Sequence, residues 1–337
     1  IREQLKYGIT FSLPHPLEVE LSELLTEIIP CAEMVRFCKT GSEATQVAVR
    51  TARAYTKRYK IAFWGYHGWH DWYAISTERP KGIPSILNDY ILPFKYNDIG
   101  SLERLFQGHK GEIAAVIMEP MITISPKGEF LQQVKELAHQ NEAVFIFDET
   151  VTGFRWALGG AQEYFGVVPD LSTFGKGIAN GMPLAGVAGK AEIMREFEEI
   201  FVSGTFSGEC LSLAAGLTTI KEMRNKNTIA RCWEMGTKLM SGLQFSLQMS
   251  GYPCRPAIVQ EFTVEEKTLF VQEVIKRGIL IHSGGLVSLC YSHTEEDISK
   301  AIKACRESIE IVNEAKYTGT VMDRLEGEVI RPSFKRL

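Results

Sequence analysis

Between Pro14 and Pro30, apolar positions fall at Leu17, Leu21, Leu24, Leu25 and Ile28, a spacing that predicts one helix with a single buried face. Short apolar runs follow at 34–38, 61–64, 113–118, 143–147 and 184–188, and amphipathic stretches at 43–58, 102–107 and 130–140 separate them. Strands apolar at every position are strands covered on both faces. Their alternation with helices predicts an α/β fold with a mostly parallel sheet and helices on either side.

The pattern then changes. Helices are expected at 209–224 and 228–249, strands at 257–262 and 287–291, and further helices at 270–276 and 297–312, before the basic tail IRPSFKRL. Two domains are expected, a large α/β domain over 1–225 with an N-terminal helical segment and a small C-terminal α+β domain over 226–337. A length of 337 residues suits two such units.

Composition narrows the partners. Apolar residues at 45% and charged residues at 23% fit neither a disordered chain nor a membrane protein. A net charge of -4 without a Lys/Arg run gives no footprint for nucleic acid or an anionic membrane. The seven cysteines, at 31, 38, 210, 232, 254, 290 and 305, form no CxxC pair and are odd in number, which predicts a reducing, cytoplasmic setting. The first residues have no apolar signal core. The chain begins without Met, so further residues are expected to precede it.

Five segments carry candidate chemistry. AVFIFDETVTGFR places Asp148 at the end of a buried strand, where open α/β sheets form ligand crevices. A carboxylate there can cap a turn or hold a ring nitrogen protonated. PDLSTFGKGIANG sets Lys176 between two glycines, as a surface turn or as a desolvated amine able to attack an aldehyde. KTGSEAT puts Thr40, Gly41 and Ser42 at a helix start, either an ordinary cap or a phosphate seat, and the P-loop spacing is absent.

GYHGWHDWY gathers Tyr66, His67, Trp69, His70, Trp72 and Tyr73, a group able to stack on a flat ring or to serve as core. The HxxH spacing of His67 and His70 lacks further ligands nearby, so no metal is expected. SGTFSGE offers Thr205 among glycines before another helix.

Together these segments resemble the class III (fold type I) pyridoxal-phosphate aminotransferases. FDETVTGFR and PDLSTFGKGIANG match the signature of that family except at Thr150, where a small aliphatic is usual. RFCKTGSEAT, GYHGWHDW, AAVIMEP and SGTFSGE are closest to its glutamate-1-semialdehyde aminomutase branch. The likeness runs from about Pro14 to the end, including TEEDI and the closing IRPSF.

The resemblance implies that Lys176 holds pyridoxal 5'-phosphate as a Schiff base and shuttles protons, while Asp148 pairs with the ring nitrogen. It implies that Thr40, Gly41 and Ser42 seat the phosphate with Thr205 of a second subunit, which makes the protein a homodimer with shared sites. Tyr66 would stack on one face of the ring with His67 nearby, and Thr150 would lie beneath the other. Val151 stands where many relatives carry a Gln near the phenolic oxygen. Glu119 and Glu149 are expected to be structural. Family members carry an extra N-terminal segment, and the tracts around 189–201, 251–266 and 281–286 are short for the family.

The implied reaction moves an amino group between a small amine or amino acid and a carbonyl compound. The apolar Val151 points to an aminomutase, whereas Thr150 and the ITIS after Pro120 depart from the aminomutase pattern and favour an aminotransferase. Decarboxylation or epimerisation on the same cofactor is the next alternative, followed by a non-catalytic scaffold, which would have no physical need for Lys176, Asp148 and Thr205 together. A nucleotide-dependent oxidoreductase lacks its GxGxxG.

Overall fold

The computed structural model describes residues 1–330; beyond Ile330, the basic tail and the resemblance read in it lie outside the described residues. The chain forms two compact units. One comprises Ile1–Met121 and Pro126–Lys226, and the other Ile122–Ser125 and the described residues from Asn227 onward.

The first unit is built on seven strands, β1 (Met34–Cys38), β2 (Lys60–Trp64), β3 (Ile91–Pro93), β4 (Ile113–Met118), β5 (Val144–Asp148), β6 (Leu171–Phe174) and β7 (Ala185–Gly189). Their order is β1-β7-β6-β5-β4-β2-β3. Strands β2 to β6 pair in parallel, and β7 runs antiparallel to its neighbours β6 and β1.

The apolar runs are continuous because alternate side chains enter different cores. Val144 and Ile146 join Ala115 and Ile117 on one side, while Phe145 and Phe147 join Val116 and Met118 on the other. The short edge strand β3 escaped the pattern reading. Its Pro93 is tolerated because an edge strand has a side without ladder bonds.

The helix Gly41–Thr56 buries Ala44, Val47, Ala48, Thr51 and Ala52, small residues that let it lie close on the sheet. Its start is set by a capping box. The Glu43 amide donates to Thr40 Oγ1 at 3.2 Å, and the Thr40 amide donates to Glu43 Oε2 at 2.8 Å. Losing such a cap costs about 1 kcal/mol. On the opposite face, Phe130–Gln140 packs Leu131, Val134 and Ala138 against the phenylalanines of β5.

The second unit contains the helices Thr228–Leu243, Val264–Lys276 and Glu295–Thr318 and an antiparallel pair, β8 (Met249–Tyr252) and β9 (Arg255–Ile258). The helix expected over 228–249 therefore ends early. The amides of Ser246 and Leu247 both turn back to the Leu243 carbonyl, and the chain then enters β8. The strand expected at 257–262 lies earlier, at β9. Residues 287–291 form no strand: Gly285, at φ +76°, turns the chain so that Leu286 makes one isolated bridge to Ala257 before the segment leaves. Among the described residues, no helix is long and apolar enough to cross a membrane.

Candidate active site

Asp148 ends β5, and its side chain is almost fully buried. Oδ1 accepts from the Thr150 amide at 3.1 Å and from Thr173 Oγ1 at 2.9 Å, and Oδ2 faces His67 Nδ1 at 2.8 Å. Burial works to raise the carboxyl pKa, but the His67 hydrogen bond and charge, with help from Thr150, outweigh it and hold Asp148 below its ordinary value. The other His67 nitrogen, Nε2, meets the Trp64 carbonyl at 3.1 Å. Both ring nitrogens thus face oxygen atoms.

His67 is brought there by the chain that follows β2. Gly65 takes φ +106° and Gly68 φ +96°, values open to glycine, and a side-chain carbon on Gly68 would come within 2.3 Å of Ser42 Oγ. The Tyr66 amide donates to the buried Glu119 Oε1 at 2.9 Å, and Thr45 Oγ1 donates to the His67 carbonyl at 2.7 Å. The Tyr66 ring, 39% exposed, meets Tyr73 edge to face. His67 stacks near Trp72. Among the described residues no group of three or more His, Cys, Asp or Glu side chains that could hold a metal ion is assembled.

Thr150 joins the remaining segments. A side-chain carbon on Gly41 would lie 2.8 Å from Thr150 Cγ2, and one on Gly175 would lie 3.3 Å from it. The phosphate-seat candidate and the residue before Lys176 therefore close on the same threonine. Ser42 Oγ accepts from the Trp69 amide at 3.2 Å, which ties that seat to the aromatic segment. The Thr40 hydroxyl is engaged with Glu43 in the cap.

Lys176 opens a short turn after β6 with φ +39°, a left-handed backbone uncommon outside glycine. Its side chain is exposed on the single chain, so these neighbours do not supply the desolvation expected of it. Val151 is half-buried and its carbonyl accepts from Arg155 Nε at 3.1 Å.

Thr205 is not brought to this cluster. It lies exposed in the loop before the helix Cys210–Asn225. That loop is held to the rest of the chain by Arg50, which donates to the Phe201 carbonyl at 2.7 Å, and by the Lys39–Glu209 ion pair at 3.3 Å.

Two features had no sequence signal. His67 and Asp148 are 81 residues apart, and their pairing depends on the order of β2, β4 and β5. The donors that surround Glu149 come from Thr152 and residues 161–162, across a loop of irregular backbone.

The residues fit pyridoxal phosphate. A buried anion stands at one end and the start of helix Gly41–Thr56 at another, and Thr150 lies against both Gly41 and Gly175, the residue before the exposed Lys176. Thr150 Oγ1 adds a buried hydroxyl with no hydrogen-bond partner, unusual in a finished core and common where a site awaits a ligand.

Comparison with known proteins gives the same assignment. The class-III aminotransferase family model matches residues 2–309. The chain is 36% identical over 323 residues to a 3-aminobutyryl-CoA aminotransferase of Cloacimonas acidaminovorans, covering 90% of this chain and 77% of that protein. It is 39% identical over 339 residues to a glutamate-1-semialdehyde 2,1-aminomutase of Alkaliphilus oremlandii, covering 90% and 80%. Among solved structures, the pyridoxal-phosphate internal aldimine form of FumI from Sphingopyxis sp. MTA144 superposes with a TM-score of 0.89 at 26% identity, over 94% of this chain and 80% of that one. An omega-transaminase from Sphaerobacter thermophilus gives 0.87 at 28%, over 92% and 82%. The protein belongs to the class III aminotransferases, enzymes that move amino groups with pyridoxal phosphate.

Proposed function

We propose that this chain is an aminotransferase in which Lys176 holds the cofactor and Asp148 sets its electronics. The observation that carries the reading is the buried Asp148–His67 pair at the end of β5, with Thr150, two residues on, packed against both Gly41 at the helix start and Gly175 before Lys176. Pyridoxal phosphate, when bound, supplies a ring that takes up the electron pair left as a proton departs from the carbon beside nitrogen.

The residues do the rest. Asp148, kept ionised and oriented by three donors, presents a fixed anion that keeps the ring nitrogen protonated. The Lys176 amine accepts the proton and returns it at the next carbon. Gly41 and Ser42 offer amides at a helix start to the phosphate, and Thr40 contributes by capping that helix. Tyr66 would cover one face of the ring and Thr150 would support the other, with Val151 alongside.

Thr205 serves the site of a second copy, which makes the working unit a homodimer. Its exposure, in a loop that also exposes Phe201 and Phe206, supports this. A cytoplasmic setting is supported by an odd number of cysteines with no CxxC pair among them. The substrates are a small amine donor and a carbonyl acceptor. Val151, where an amide is frequent in relatives, favours intramolecular transfer as the second reading.

Borohydride reduction of the cofactor-loaded protein followed by peptide mapping tests the assignment. The label is expected on Lys176, and its appearance on another residue refutes the reading. Conversion to the amine form of the cofactor with a panel of donors, without added acceptor, then separates transfer between molecules from transfer within one.

A further inference from the structure

Glu149 follows Asp148 directly and has no part in the chemistry above, yet it is buried and surrounded by donors. Oε2 accepts from Thr152 Oγ1 at 2.8 Å and from the Ala161 amide at 2.5 Å. Oε1 accepts from the Gln162 amide at 3.0 Å and from Gln162 Nε2 at 3.1 Å. Gly160, at φ +87°, leaves room for the carboxylate, since a side-chain carbon there would come within 2.4 Å of Oε2. One side chain therefore closes the loop 150–160 on itself.

The closed loop lies under the Lys176 turn on both sides. Gly175 rests on Thr150, and a side-chain carbon on Gly177 would stand 3.5 Å from the Gly153 carbonyl oxygen and 3.7 Å from Phe154 Cβ. Phe154 is buried in one cluster with Phe174, Ile178 and Ala179, the residues that enter and leave that turn. Gly153 is tied back to Glu149 as well, its amide donating to the Glu149 carbonyl at 2.8 Å.

We propose that Glu149 is a positioning residue for the reaction: by closing the loop 150–160 it builds the bed that holds the Lys176 turn in its left-handed backbone. The inference rests on Lys176 as the residue that carries the cofactor. A carboxylate is suited to the task because it accepts four hydrogen bonds at once. Alanine leaves those donors unpaired, and glutamine keeps one accepting oxygen while turning an amide toward the rest.

The full chain with Glu149→Ala and Glu149→Gln tests it. In cofactor-free protein, hydrogen exchange at the Ile178 amide, which donates to the Gly175 carbonyl at 3.1 Å, is expected to quicken about tenfold in Glu149→Ala and less in Glu149→Gln. In loaded protein, the pH midpoint of the cofactor's absorbance change should move by about half a unit or more. The kcat should fall about tenfold or more while KM changes less than threefold. Thr152→Val removes one of the four donors and should shift the same readouts in the same direction by less, which keeps the test open if Glu149→Ala does not fold.

Wild-type exchange and an unchanged absorbance midpoint in a folded Glu149→Ala overturn the proposal. So do wild-type values in Thr152→Val when Glu149→Ala does not fold. If borohydride labels Lys176 in wild type and the variants still behave as wild type, this inference fails alone. If wild type is not labelled at Lys176, the parent reading fails instead.

Discussion

Two buried aspartates stand at opposite ends of the same sheet. Asp148 closes β5 and Asp170 immediately precedes β6. Asp170 Oδ2 accepts from the Phe145 amide at 2.8 Å and faces His139 Nε2 at 2.8 Å, while Oδ1 meets Lys190 Nζ at 2.7 Å. Both carboxyls have a histidine and a backbone amide, and both are held below their ordinary pKa by partners that outweigh burial. What differs is the surroundings. Asp170 sits among saturated groups that join the ends of helix Phe130–Gln140, β5 and β7. At the Asp148 end, Thr150 keeps a buried hydroxyl without a partner, and Gly41 and Gly175 both close on that threonine. A buried anion alone marks neither function nor structure; an unmatched polar group beside it points to a ligand.

The largest effect expected from breaking this contrast is at Asp148. Asp148→Asn keeps an oxygen for Thr150 and Thr173 but removes the charge proposed to face the ring nitrogen. Amino transfer should fall about a hundredfold or more, measured as single-turnover conversion of the loaded enzyme. A variant that retains more than a third of the wild-type rate removes Asp148 from the chemistry and makes the two aspartates equivalent.

Asp170→Asn should do the reverse, leaving the rate of the folded enzyme within about twofold while lowering stability by about 2 kcal/mol. Lys190 and His139 are partly exposed and recover water, which limits the loss. The sign with pH follows from the depressed pKa. The contribution of Asp170 is complete above its ordinary unfolded value and is lost as pH falls through its lower folded value. Denaturant midpoints of wild type and variant should therefore differ most near neutrality and converge in acid. A difference that grows as pH falls contradicts the role of Asp170 as an anchoring anion.

The sheet could be read in the sequence because β4 is apolar at every position and β5 at every position before Asp148, as strands covered on both faces are. The helix Gly41–Thr56 could be read because small residues line one stripe behind a capping box. Asp148 and Lys176 were legible as strand-end residues with glycine or turn context. Asp170 was not, since its partners lie 20 to 31 residues away and meet only when three strands and a helix end assemble. The end of the helix at Leu243 and the loss of the strand at 287–291 were missed for a related reason. Local apolar content in the second unit is compatible with either element, and the choice follows from which backbone groups find partners after the turn at Gly285.

The smallest expected effect is the one most specific to the comparison. Thr150 Oγ1 is sealed from water and unpartnered, and leaving a buried hydroxyl in that state costs about 1–3 kcal/mol against a paired one. Thr150→Val preserves the branched shape that Gly41 and Gly175 close upon and removes only the hydroxyl. Cofactor-free protein should then be as stable as wild type or more stable, by up to about 1 kcal/mol in chemical denaturation. A polar deletion at the other end cannot gain in this way. Removing any donor to Asp170 leaves a buried carboxylate short of a partner, so every such change lowers stability. If Thr150→Val instead lowers the stability of cofactor-free protein by more than about 1 kcal/mol, the hydroxyl is satisfied within the chain and the contrast between the two ends loses its physical basis.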